Sequence, residues 1–160
     1  MIRIADATYD DLCYIGSWLS AVDRMELSVT RDPNDYPGLA RDAFASMIHK
    51  VALDHAGVPI FAFGAYPIRK GIAHVWGFKT KDGPKAIRTV TKYLLKELIP
   101  DLREAGVVRA VCYVHEENHG SRKWLAYLGF RPDATHGEIG APLMKYQRDE
   151  LSREHPDFPS

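Results

Sequence analysis

Three stretches of this sequence carry side chains that could do chemistry. In the first, Val107-Val-Arg-Ala-Val-Cys-Tyr-Val-His115 reads as a buried strand and Asn118 as the N-cap of the helix that follows. A strand feeding a capped helix often builds a ligand site, because the helix's free N–H groups face whatever lies beyond the strand end. The second stretch is the crowd of His115, Glu116, Glu117 and His119 around that cap. Two histidines and two carboxylates suit a divalent metal, but no spacing puts them on one helix face, so a solvated turn without metal is expected. The third is His74, inside the alternating run Ile72-Ala-His-Val-Trp-Gly-Phe-Lys-Thr80. An imidazole there suits proton transfer near neutral pH. The alternative is a half-buried strand histidine with a satisfied hydrogen bond.

The elements that must hold these groups follow from periodicity. Ile2–Ala5 alternates as a short first strand, and Thr8 caps a helix with Leu12, Ile15, Trp18, Leu19 and Val22 on its apolar face. Asp23-Arg-Met-Glu-Leu27 continues or closes that helix; a charge cluster there is usually surface. Arg31–Gly38 is a loop by its Pro, Asn, Asp and Gly content, and Leu39, Ala43, Phe44, Met47 and Ile48 describe a second helix. The period then changes to two: Val51–His55, Val58–Tyr66 and Ile72–Thr80 are strands of an antiparallel meander. Lys81-Asp-Gly-Pro84 breaks the chain, and Pro84 suits the first turn of a long third helix that ends at Ala105-Gly106. After the strand and helix of the first stretch, Gly129 sits where a left-handed stop belongs. Two short strands follow, near Arg131 and near Ala141–Tyr146. Residues 1–148 form the expected domain and 149–160 a polar tail. The order implies an α/β (α+β) single domain with a mixed, mostly antiparallel sheet and helices on both faces. Trp18, Trp76, Trp124, Phe61, Phe63 and Phe78 are expected in the core.

Composition narrows the partners. The 21 basic and 21 acidic residues cancel, so no global field recruits nucleic acid or an anionic membrane. No apolar run approaches the roughly 18 residues that span a bilayer, and the first residues do not read as a signal peptide. Cys13 and Cys112 are expected as free thiols of a soluble protein in a reducing interior.

The element order, with Asn118-His-Gly-Ser-Arg-Lys-Trp-Leu-Ala-Tyr-Leu-Gly-Phe130, resembles the GCN5-related N-acetyltransferase (GNAT) superfamily. The resemblance implies that the Asn118 helix lies beside the pantetheine arm of acetyl-CoA, with Ser121 one turn on. It implies that the region before the third helix, Lys81, Asp82, Gly83, Lys85 and Ala86, meets the diphosphate. It further places a general base at His74 and an acceptor pocket near Asp23, Arg24 and Glu26. A narrower likeness, carried by Asp23–Leu27, Lys81–Pro84 and Arg122–Phe130, is to GNAT-like internal virion or core proteins of T7-type tailed bacteriophages.

Two departures bear on activity. The superfamily's phosphate loop carries an Arg or Gln and two small residues, whereas this chain has one glycine, Pro84 without an N–H, and the negative Asp82. Relatives often place a proton-donating Tyr seven residues after the Asn; here that residue is Leu125, and Tyr127 is turned about 200° around the helix. Two functions stay open. One is an acetyl-CoA-dependent N-acyltransferase acting on a small amine or a protein amino group. The other is an inactive internal virion or assembly protein, with other virion proteins as partners and the host cytoplasm and virion as its locations.

Overall fold

A computed structural model describes residues 1–133, 136–149 and 151. One seven-stranded sheet runs in the order β1-β2-β3-β4-β5-β7-β6, with flanking helices. The chain opens with β1 (Arg3–Asp6) and α1 (Tyr9–Ser17), then α2 (Ala21–Leu27) and α3 (Tyr36–Phe44). Strands β2 (Ile48–Leu53), β3 (Pro59–Arg69) and β4 (Ile72–Lys79) follow. A helical stretch then passes from a 3-10 turn (Gly83–Ala86) through α4 (Ile87–Tyr93) to α5 (Ile99–Glu104). Next come β5 (Arg109–His115), α6 (His119–Tyr127), β6 (Arg131–Pro132) and β7 (Leu143–Asp149). β1 with β2, β2 with β3, β5 with β7 and β6 with β7 are antiparallel, while β4 and β5 run parallel from Ile72↔Arg109 to His74↔Val111.

The chain forms two compact units. The first holds Met1–Tyr66 and Trp76–Val90. Its core joins Leu12 and Ile15 of α1 and Leu39 of α3 to Val51, Ala62 and Phe78 of the strands. A capping box starts α1: Asp11 N donates to Thr8 Oγ1 and Thr8 N to an Asp11 carboxylate oxygen, each at 3.0 Å. The expectation that Asp23–Leu27 continues or closes this helix is wrong on both counts. It ends at Ser17, Leu19 bridges Thr80, and Ser20 caps a separate α2 by accepting from Asp23 N at 3.3 Å. Trp18, 65% exposed at the C-cap of α1, is therefore not a core residue. The second expected helix also ends early, at Phe44, because Ile48 already pairs with Ala65 in the sheet.

The second unit holds Pro67–Val75 and Thr91–Ser160. Leu98, Leu102, Ala110, Val111, Leu128 and Tyr146 are among its buried residues. Pro100 lies within the helical stretch, where it offers no N–H and crowds the carbonyl four residues back. Leu94–Leu98 answers with a π turn, closed by Ile99 N–H to Leu94 O, so the chain passes without a break. The expected tail begins with Asp149 as the last residue of β7 and Leu151 fully buried; residues 152–160 lie outside those described. Among the described residues, no helix is long and apolar enough to cross a membrane, and both cysteines are free thiols.

Candidate active site

The residues singled out in the sequence divide between the two units. In the second, Asn118 caps α6 as expected: its Oδ1 accepts from Ser121 N at 3.2 Å, and its backbone carbonyl accepts from Arg122 N at 3.0 Å. The side chain is only 5% exposed, and Nδ2 has no hydrogen-bond partner among the described residues. Because Oδ1 is fixed by the cap, the orphan is a donor. A buried amide N–H without an acceptor is costly, so such a group in a native fold calls for an explanation. Next to it Gly120 faces open space, where a Cβ would meet nothing within 4 Å. The helix stops at Leu128, and Gly129 takes the left-handed conformation at φ +94°. Leu125 is half-buried and Tyr127 largely exposed. Trp124 is half-buried and donates its indole N–H to Thr91 Oγ1 at 2.7 Å.

Around the cap, His115 is buried and its Nδ1 accepts from Glu117 N at 3.0 Å, which fixes its proton on Nε2. Glu116, Glu117 and His119 are exposed. No three potential metal ligands gather among the described residues.

His74 lies on β4 in the same unit, half-buried and stacked on Tyr113 of β5 with ring centroids 6.1 Å apart. Burial pushes its pKa down to about 4. At neutral pH the imidazole is uncharged and a weak base.

In the first unit the expected substrate cluster separates. Arg24 is exposed and pairs with Asn34, and Glu26 is half-buried. Asp23 instead points inward, 4% exposed. Its carboxylate accepts from Lys79 N at 2.8 Å and from Lys79 Nζ at 3.3 Å. Burial pushes the carboxyl pKa up, and Lys79's ammonium and backbone N–H pull against it. Lys79 is the neighbour of Asp23 that sequence reasoning missed. The only signal was its place near the end of the strand that leads into the Lys81–Ala86 loop.

That loop is largely closed on itself. Asp82 N donates to Thr80 Oγ1, Gly83 N to Thr80 O and Lys85 N to Asp82 O, at 3.2, 2.9 and 3.0 Å. Ile87 N donates to Pro84 O. Lys85 pairs with Asp82 at 3.3 Å on the surface, so the acid is partly neutralised by its own loop. Lys81 is exposed; Gly83 and Ala86 are buried. Gly83 is the close approach: a Cβ there would collide with the Lys79 side chain.

No family model matches the chain, and no curated protein matches it. Solved structures do. A GCN5-related N-acetyltransferase from Kribbella flavida aligns over 92% of this chain and 97% of its own, with TM-score 0.65 and 23% identity. A GNAT superfamily phosphinothricin acetyltransferase from Sinorhizobium meliloti, solved with acetyl-CoA, aligns over 93% and 88% with TM-score 0.65 and 18% identity. The GNAT domain of PAT from S. lividans aligns over 92% and 89% with TM-score 0.71 and 14% identity. At these identities the likeness speaks for architecture, and the chain has the fold of the GNAT acetyltransferases.

Proposed function

We propose that the chain is an acetyl-CoA-dependent N-acetyltransferase acting on a small amine or a protein amino group. The observation that carries this reading is the buried Asn118 Nδ2, a fixed donor without a partner at the start of α6. An amide-rich pantetheine arm is the acceptor that would satisfy it. When bound, acetyl-CoA supplies the thioester acyl group that the amine attacks. The chain's own residues hold and orient. Asn118 donates to the arm, with Ser121 beside it, and Lys81 and Lys85 offer ammonium groups to the diphosphate. Backbone N–H donors contribute less than in a free cradle, because those of Asp82, Gly83 and Lys85 are already used within the chain. A base held near pKa 4 is mismatched to neutral pH, so solvent water takes the amine's proton in this reading and His74 is secondary. The acceptor pocket is assigned to the neighbourhood of Arg24 and Glu26.

Titration calorimetry tests it with acetyl-CoA against the wild-type chain and Asn118→Ser. Serine keeps a capping oxygen and removes the amide donor. The variant should bind at least about tenfold more weakly while melting within a few degrees of wild type. Equal binding by both would remove Asn118 from the site.

The second reading is an inactive GNAT-like internal virion or assembly protein of a tailed phage. The self-satisfied Lys81–Ala86 loop and Leu125 in place of the acid favour it. Absence of binding at millimolar acetyl-CoA would select this reading.

A further inference from the structure

We infer that Asp23 is a positioning residue for the Lys81–Ala86 loop, acting through Lys79; its bearing on acetyl-CoA affinity rests on the acetyltransferase reading above. The last residue of β4 is held from several sides. Its backbone N–H goes to Asp23 Oδ2 at 2.8 Å, and its carbonyl accepts from Ser20 N at 2.8 Å. Its ammonium pairs with the Asp23 carboxylate at 3.3 Å and lies 5.9 Å above the Phe61 ring. Side chains in a strand alternate, and so do the edges that backbone groups face. Thr80, the next residue, addresses β3 through Ile60 O, so the backbone groups of Lys79 face the opposite edge, and there the start of α2 supplies the partners.

The residues that follow inherit this placement. Thr80 N donates to Ile60 O at 3.0 Å, and Thr80 bridges Leu19. Thr80 then accepts from Asp82 N and Gly83 N, which sets the turn. The aliphatic stem of Lys79 runs along Gly83, leaving no room for a Cβ. Asp23 therefore fixes Lys79, and Lys79 fixes both ends of the turn: the backbone by continuity and Gly83 by contact. A buried carboxylate in the first turn of α2, 56 residues before its partner, is what ties the loop to that helix.

The test is amide hydrogen exchange in the chain without cofactor, on wild type, Asp23→Asn and the double variant Asp23→Asn/Lys79→Met. Asparagine can still accept the backbone N–H at position 79 but strands the ammonium. Exchange at Gly83 and Lys85 should rise at least about tenfold in Asp23→Asn, with Ser121 and Arg122 of α6 within about twofold of wild type. The double variant, which removes the stranded charge and keeps an apolar stem over Gly83, should return the loop to near wild-type protection. Should Asp23→Asn not fold, Lys79→Ala deletes the stem over Gly83 and should loosen the same amides. Unchanged loop exchange in Asp23→Asn, or in Lys79→Ala, would overturn the inference, as would a rise shared equally by α6. Acetyl-CoA affinity is measured in parallel and should fall about tenfold or more in Asp23→Asn. A wild-type chain that takes no acetyl-CoA yet shows the expected exchange pattern would end the acetyltransferase reading and leave the positioning role standing.

Discussion

His74 and Asn118 are two polar residues whose chemistry depends on burial. Burial alone holds His74 near pKa 4, below the ordinary 6.5. On acidification the unfolded chain therefore takes the proton first. The stability this residue contributes is complete above about pH 6.5 and is lost as pH falls toward about 4, by at most about 3 kcal/mol. Urea unfolding across that window should show the decline, and His74→Phe should flatten it. In turnover, His74→Ala should lower kcat by less than about tenfold, whereas loss of a true general base costs about a hundredfold or more. A loss of that size would return the base role to His74. Asn118 was legible in the sequence because its capping partner is three residues away. The orphaned Nδ2 was not, since burial is a property of the whole surroundings. Asp23 was legible only as a charge: no local pattern points to a partner 56 residues on.

Among the elements, strands formed near the apolar runs that announced them, although burial in β3 and β5 is continuous where a period of two would alternate, and α6 followed its cap and its glycine stop. The split between α1 and α2 was misread because Leu19 and Val22 continue the apolar spacing of the first helix. Yet Ser20-Ala-Val-Asp23 carries an N-cap pattern, and its serine starts α2. The π turn before Pro100 was hidden for a different reason: apolar spacing alone does not separate one helical hydrogen-bond ladder from another. Two glycines make opposite predictions about the helices they introduce. Gly83→Ala drives a methyl group into the Lys79 stem and should cost about 1–3 kcal/mol by thermal or urea unfolding. Gly120→Ala enters open space in the first turn of α6 and should be neutral or stabilise by about 0.5–1 kcal/mol. A Glu at position 83 would disturb the fold before it repelled a phosphate, so that substitution does not report on binding.

For the whole molecule, balanced charge and a pI of about 7.1 predict least solubility near neutral pH, checked by precipitation with ammonium sulfate or polyethylene glycol between pH 5 and 9. The meander and the parallel β4–β5 step were legible from the order of elements. The insertion of β7 between β5 and β6 was not, because it is decided by pairings such as Cys112↔Tyr146 that join distant residues. The two free thiols have a use that follows from where they fall. Cys13 is half-buried in the first unit, and Cys112 is buried on β5 in the second. Each unit thus carries one natural reporter of its own opening. With an aromatic disulfide reagent under native conditions, Cys13 should react first and Cys112 only through transient exposure of its strand. In rising denaturant, parallel acceleration of the two sites would identify a single cooperative fold. Separate midpoints would instead assign each unit its own unfolding free energy, without the introduction of any label.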